Sequence, residues 1–155
     1  MTEVERIADQ LQRAFDGDAW HGPSLIALLE DVTASQAAAR TVSNAHSIWE
    51  LVSHIAAWER AGLRRLGGDR AELSDDENFP STVHASEQAW VQTKEALKSG
   101  HDELHQAVIA LDDSRLEQPI VPGLSTIYVT LHGIVQHTLY HAGQIAILKK
   151  AKARA

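Results

Sequence analysis

The chain has 155 residues, 44% of them apolar and 23% charged, with a formal charge of −7 and no cysteine. This is the balance of a globular domain that can bury its own core; it excludes disulfides, thiolate ligands and a cysteine nucleophile, and its negative charge weighs against a phosphate backbone as partner. No segment approaches the ~18 uninterrupted apolar residues of a membrane span, and the N-terminal MTEVERIADQLQRAF lacks a signal-like apolar run, so we expect one domain over 1–155, cytoplasmic, with neither membrane nor nucleic acid as partner.

In chain order, Val4, Ile7, Ala8, Leu11, Ala14 and Phe15 recur at three- and four-residue steps and predict a helix over 3–16. Gly17 to His21 reads as a turn, and Pro23 suits a first helical turn before Leu25, Ile26, Leu28, Leu29 and Val32. Thr33 and Gln36 predict a capped turn reaching Ala39, and Ser47 with Glu50 predicts a capping box opening a helix over about 48–66. On that helix His54 lies on the same broad side as Leu51 and Trp58. Gly67 and Gly68 stop it. The acidic run Asp75–Glu77 reads as a solvated loop, within a connection over 67–80 long enough for a crossover along a bundle.

A long helix is predicted over 82–111, carrying Val83, Trp90, Leu97, Leu104 and Val108, with Gly100 marking a kink or a close approach. His101 and His105 are four apart but sit among Lys98, Asp102 and Glu103, and read as solvated polar residues. A last helix should start near Ser125 or Thr126 and reach Lys149 or Lys150, with Lys149, Lys150 and Lys152 suited to its carbonyl end. Ile127, Leu131, Ile134, Thr138, His141, Ile145 and Leu148 form its inward rhythm. Gly143 reads as a site of close helix packing. Four main helices and no convincing strand predict an all-α four-helix bundle.

Chemistry centres on His137 and His141. On a helix their four-residue spacing puts them one turn apart on one face, close enough for two imidazoles to hold one ion. His54 is a third candidate, and three histidine nitrogens with an open position suit a catalytic metal. Spacing alone favours structural or surface roles over a metal site. The pair is not HExxH, since Thr138, Leu139 and Tyr140 lie between its members, and no serine-hydrolase elbow, di-iron pattern or phosphate loop is present.

Three blocks, WHGPSLIALL at 20–29, HSIWELVSHIAAWE at 46–59 and HGIVQHTLYHAGQIAILKK at 132–150, resemble the DinB/YfiT-like superfamily of candidate metal-dependent enzymes. The resemblance implies a four-helix bundle of up-down-down-up topology, which would account for the long connection at 67–80. It implies a metal triad at His54, His137 and His141, holding a divalent transition metal such as Zn2+ or Ni2+. Trp20, His21, Trp49, Trp58, Tyr140 and Gln144 become candidates for the pocket around it, with His21 and Tyr140 as candidates for catalytic proton transfer. Some relatives are similar in fold to transferases that use a low-molecular-weight thiol, and related proteins are often dimeric.

Three functions follow as expectations. The first is a metal-dependent transferase that activates a low-molecular-weight thiol against a small-molecule electrophile. The second is a metal-dependent hydrolase that activates water against a hydrolysable substrate. The third is a non-catalytic helical metal-binding protein. A homodimer is compatible with each.

Overall fold

In a computed structural model, which describes residues 1–82 and 84–151, the chain is all-α. Val83 and Lys152, each read above as part of a helix or its end, lie outside the described residues. The helices are α1 (Glu3–Phe15), α2 (Leu25–Leu29), α3 (Ala34–Ala38), α4 (Ile48–Leu66), α5 (Asp75–Asn78), α6 (Glu87–Ile109) and α7 (Ile127–Lys150), with a 3-10 turn at Asp113–Arg115. The four long ones pack as a ring. Helix α1 touches α6 and α7, and α4 touches the same two.

Local chemistry sets the helix starts. Thr2, Thr33, Ser47 and Ser74 each cap a helix whose third residue is Glu or Gln, and in all four the two reciprocal hydrogen bonds of a capping box form. Hydroxyl and carboxyl (or amide) oxygens thereby satisfy backbone N–H groups that have no partner inside the helix. The box at Ser47 opens α4 where the sequence places it. The box at Ser74 corrects the sequence reading, because Asp75–Asn78 is a helical turn rather than a loop. Helix α6 starts at Glu87, later than 82, because Ser86 caps it through the Ala89 N–H.

The apolar core falls into two clusters. One holds Phe15, Leu25, Ile55, Trp90, Leu97 and Ile145; the other holds Ile7, Leu11, Leu104, Val108, Leu131 and Ile134. Between them lies a buried polar layer of Glu59, His101 and Thr138, one residue from each of α4, α6 and α7. His101 Nδ1 lies 3.2 Å from both carboxylate oxygens of Glu59, Thr138 Oγ1 donates to Glu59 Oε1 at 3.5 Å, and Phe15 stacks on the imidazole at 3.6 Å. The expectation that His101 is solvated is therefore wrong. Leu97, His101, Leu104 and Val108 form one stripe, and a buried carboxylate on α4 supplies the partner that makes burial of the imidazole tolerable. His105 is half-buried beside it, its ring 6.2 Å away.

Two glycine readings also change. A Cβ at Gly62 would meet Ile134 Cδ1 at 2.5 Å, so it is here that α4 and α7 need a missing side chain. Gly100 and Gly143 have no atom of the chain within 4 Å of such a Cβ, so neither marks close packing within the described chain.

Candidate metal centre

Two long helices deliver the three histidines. His54 comes from α4, and His137 and His141 come from successive turns of α7. Their rings converge, with centroids 4.5–4.8 Å apart in each pairing. One nitrogen from each lies within 4.8 Å of the others, and His54 Nε2 is 2.9 Å from His137 Nε2. His54 and His141 are buried and His137 is half-buried.

The surroundings fix which nitrogens face inward. His54 Nδ1 lies 2.7 Å from the backbone carbonyl oxygen of Asn78, a group that only accepts. That nitrogen therefore carries the proton, and Nε2 presents its lone pair to the centre. His141 Nδ1 lies 2.5 Å from the Gln144 side-chain oxygen, which holds the second ring in the same way. An acceptor behind each imidazole is the usual means of orienting a metal-binding histidine. Burial pushes the His137 imidazole down to about 4, with His141 and His54 adding repulsion. Burial also lowers His54 and His141. All three are thus neutral near pH 7, the state in which imidazole donates a lone pair to a metal. Three converging neutral donors can hold a metal ion.

The connection after α4 closes one side of the centre. Phe79 stacks on His54 at 4.0 Å, and His46 stacks on the far face of that ring system, 3.8 Å from Phe79. The Asn78 side-chain oxygen accepts from Trp58 Nε1 at 2.8 Å. Asn78 and Phe79 are functional neighbours that sequence reasoning missed. The available signal was Ser74 followed by Glu77, the same capping pattern that located α4.

On another side a cleft of about 330 Å³ reaches His137 and is lined by Trp58, Gly62, Arg65, Thr130, Gly133 and Ile134, among others. The Arg65 guanidinium lies 5.4 Å from the Trp58 ring centroid and is held by the carbonyls of Arg70 and Ala71. Among the described residues no Asp or Glu lines this cleft.

Of the other predicted residues, Tyr140 lies against a ring of the centre, whereas Trp49, Trp20 and His21 sit elsewhere. Trp49 is buried against Trp90, 5.0 Å between centroids, and packs the bundle. Tyr140 is 66% exposed on the outer face of α7, its ring 5.0 Å from that of His141. Trp20 and His21 are exposed and line a separate groove with Arg13, Val135 and Leu139, which contains none of the three histidines.

The family model of the DinB superfamily matches residues 19–145. The chain belongs to the DinB superfamily. No curated protein and no solved structure matches it. The DinB match spans α2 to most of α7 and so includes all three histidines of the centre. No helix among the described residues is long and apolar enough to cross a membrane.

Proposed function

We propose that this DinB protein is a metal-dependent transferase that activates a low-molecular-weight thiol at His54, His137 and His141 for attack on a small electrophile. The observation that carries the reading is the convergence of three neutral imidazoles, two with their outer nitrogens held by oxygen acceptors, beside an open cleft. A divalent ion such as Zn2+ or Ni2+, when bound, would lower the pKa of a coordinated thiol and hold it as thiolate.

The residues of the chain would divide the remaining work. Asn78 and Gln144 keep the donor nitrogens aimed inward. Phe79 and Trp58 exclude water from the His54 side through stacking and packing. Arg65, at the cleft, offers a fixed positive charge to an anionic group of the thiol or its substrate. The lack of a cleft carboxylate among the described residues supports sulfur chemistry over hydrolysis, because water ionises far less readily than a thiol, with its pKa of about 8.5, and profits more from a general base.

The test is to load the protein with Zn2+ or Ni2+ and follow loss of a chloro-aromatic electrophile with and without a small thiol. Turnover that needs both metal and thiol is expected, and it should disappear in His54→Ala, His137→Ala and His141→Ala together with bound metal. Thiol-independent turnover of ester or amide probes would replace this reading with a hydrolase. Stoichiometric metal binding with neither activity would leave a non-catalytic metal protein. Retention of metal by all three single variants would remove the triad itself.

A further inference from the structure

Helices α4 and α6 border a slot that the metal centre does not use. Its volume is about 350 Å³, within the usual range of small-molecule sites. Ala56, Ala57 and Ala61 of α4 and Ala96 of α6 form its walls, and Leu73 and Pro80 of the connection after α4 close it. Four side chains that stop at Cβ leave open the space that longer ones on neighbouring helices would fill by interdigitation.

The slot is apolar along its length and cationic at one edge. Arg60 and Arg64 line that edge, one turn apart on α4. Arg64 belongs to the last turn of the helix, where the dipole favours a cation, and it pairs with Asp69 at 2.7 Å. Arg60 stands one turn earlier, is exposed, and forms no ion pair among the described residues. Glu77 is the one acid in the lining among the described residues. Its carboxylate turns back on Ser74, accepting from the backbone N–H and the hydroxyl at 2.9 Å each. Arg60 is therefore the charge left open to a ligand.

We propose that this slot binds a small amphipathic carboxylate, with a short acyl chain over the alanines and the carboxylate on Arg60. The guanidinium fork matches a carboxylate in shape as well as charge. The alanines, Leu73 and Pro80 offer the chain a surface that shields it from water.

The slot and the metal centre share a wall. Glu77 and Pro80 line the slot, and the two residues between them face the other way. The Asn78 carbonyl holds His54 Nδ1 at 2.7 Å, and Phe79 stacks on the same imidazole at 4.0 Å. A ligand seated against Pro80 favours the placement of Asn78 and Phe79 that orients His54, and so raises metal affinity. By linkage the metal raises carboxylate affinity by the same factor. This coupling rests on the metal reading of the centre; occupancy of the slot does not.

Calorimetric titration of metal-free protein with octanoate, below its micelle threshold, tests the site. One-to-one binding is expected, with a dissociation constant on the order of 0.1–1 mM for a ligand of that size. Octanol keeps the chain without the charge and should bind about tenfold more weakly or worse. Arg60→Gln, at an exposed position, should weaken octanoate by about tenfold or more with unchanged circular dichroism. Ala57→Leu fills the slot while keeping helix propensity, and should abolish binding. His137→Ala should bind octanoate as the wild type does; loss of binding there would put the carboxylate at the metal centre and overturn the proposal. No binding by wild type at several millimolar overturns it too, as do Arg60→Gln and Ala57→Leu variants that bind normally. In a separate titration, saturating octanoate should raise Zn2+ affinity about fivefold in wild type and leave it unchanged in Ala57→Leu. Equal Zn2+ affinity with and without octanoate in wild type overturns the coupling. A protein that binds octanoate as expected but no Zn2+ refutes the metal reading and upholds the slot.

Discussion

At the scale of single residues, the centre depends on atoms that carry no obvious chemistry of their own. Gln144 is a neutral amide in a helix, yet its side-chain oxygen holds His141 Nδ1 and leaves the other nitrogen free for an ion. Gln144→Leu removes that acceptor while keeping length and helix propensity. It should lower metal affinity roughly 10- to 100-fold, the usual range for losing the partner of a metal-binding histidine. Competition against a metal-sensitive dye would measure it, with unchanged circular dichroism as the control. Asn78 holds His54 through its backbone, so side-chain substitution there should spare that contact and loosen Trp58.

At the scale of elements, α4, α6 and α7 are tied at one level by Glu59, His101 and Thr138, all buried between two apolar clusters. Removing one member strands the others away from water. Glu59→Ala should destabilise the protein by about 3 kcal/mol, since a buried polar partner is lost and a cavity is left. Glu59→Gln keeps shape and an acceptor oxygen and should cost less. Urea denaturation of both variants checks the order. Equal losses would mean that the carboxylate's charge, and not its shape, is what matters at this level. The Gly62–Ile134 approach fixes the spacing of α4 and α7 nearby, and so the distance between His54 and the α7 pair.

At the scale of the whole molecule, burying three imidazoles without an ion makes stability depend on pH. The folded state holds His137 down to about 4 and lowers His54 and His141. The unfolded chain takes up these protons below about 6.5. Between roughly 6.5 and 4 the unfolded state binds more protons, so stability falls as pH falls. Above 6.5 these groups are neutral in both states and contribute no slope. The carboxylates held low, Asp9, Asp31, Asp69, Glu77 and Asp112, act the same way but mainly below about pH 5. Thermal melts of metal-free protein should therefore show a decline starting near pH 6.5. His137→Ala should reduce its slope between about 6.5 and 5.5, where carboxylates titrate little.

The helices themselves, and the histidines worth watching, were legible in the chain. Apolar periodicity and the Ser47–Glu50 cap located α4, the α7 rhythm pointed His141 inward, and the three sequence blocks joined His54 to the pair. These are local signals, read from spacing along one helix at a time. The site also depends on contacts between elements far apart in sequence. His101 looked solvated beside its charged neighbours because its partner, Glu59, is 42 residues away. Asn78 and Phe79 looked like the end of a loop because only the return of the connection over α4 sets them on His54. Gly143 looked like a packing glycine, and only the finished bundle shows its side open. Periodicity determines which face of a helix is apolar; what stands against that face is decided by packing, where buried polar groups must find partners wherever the chain brings them.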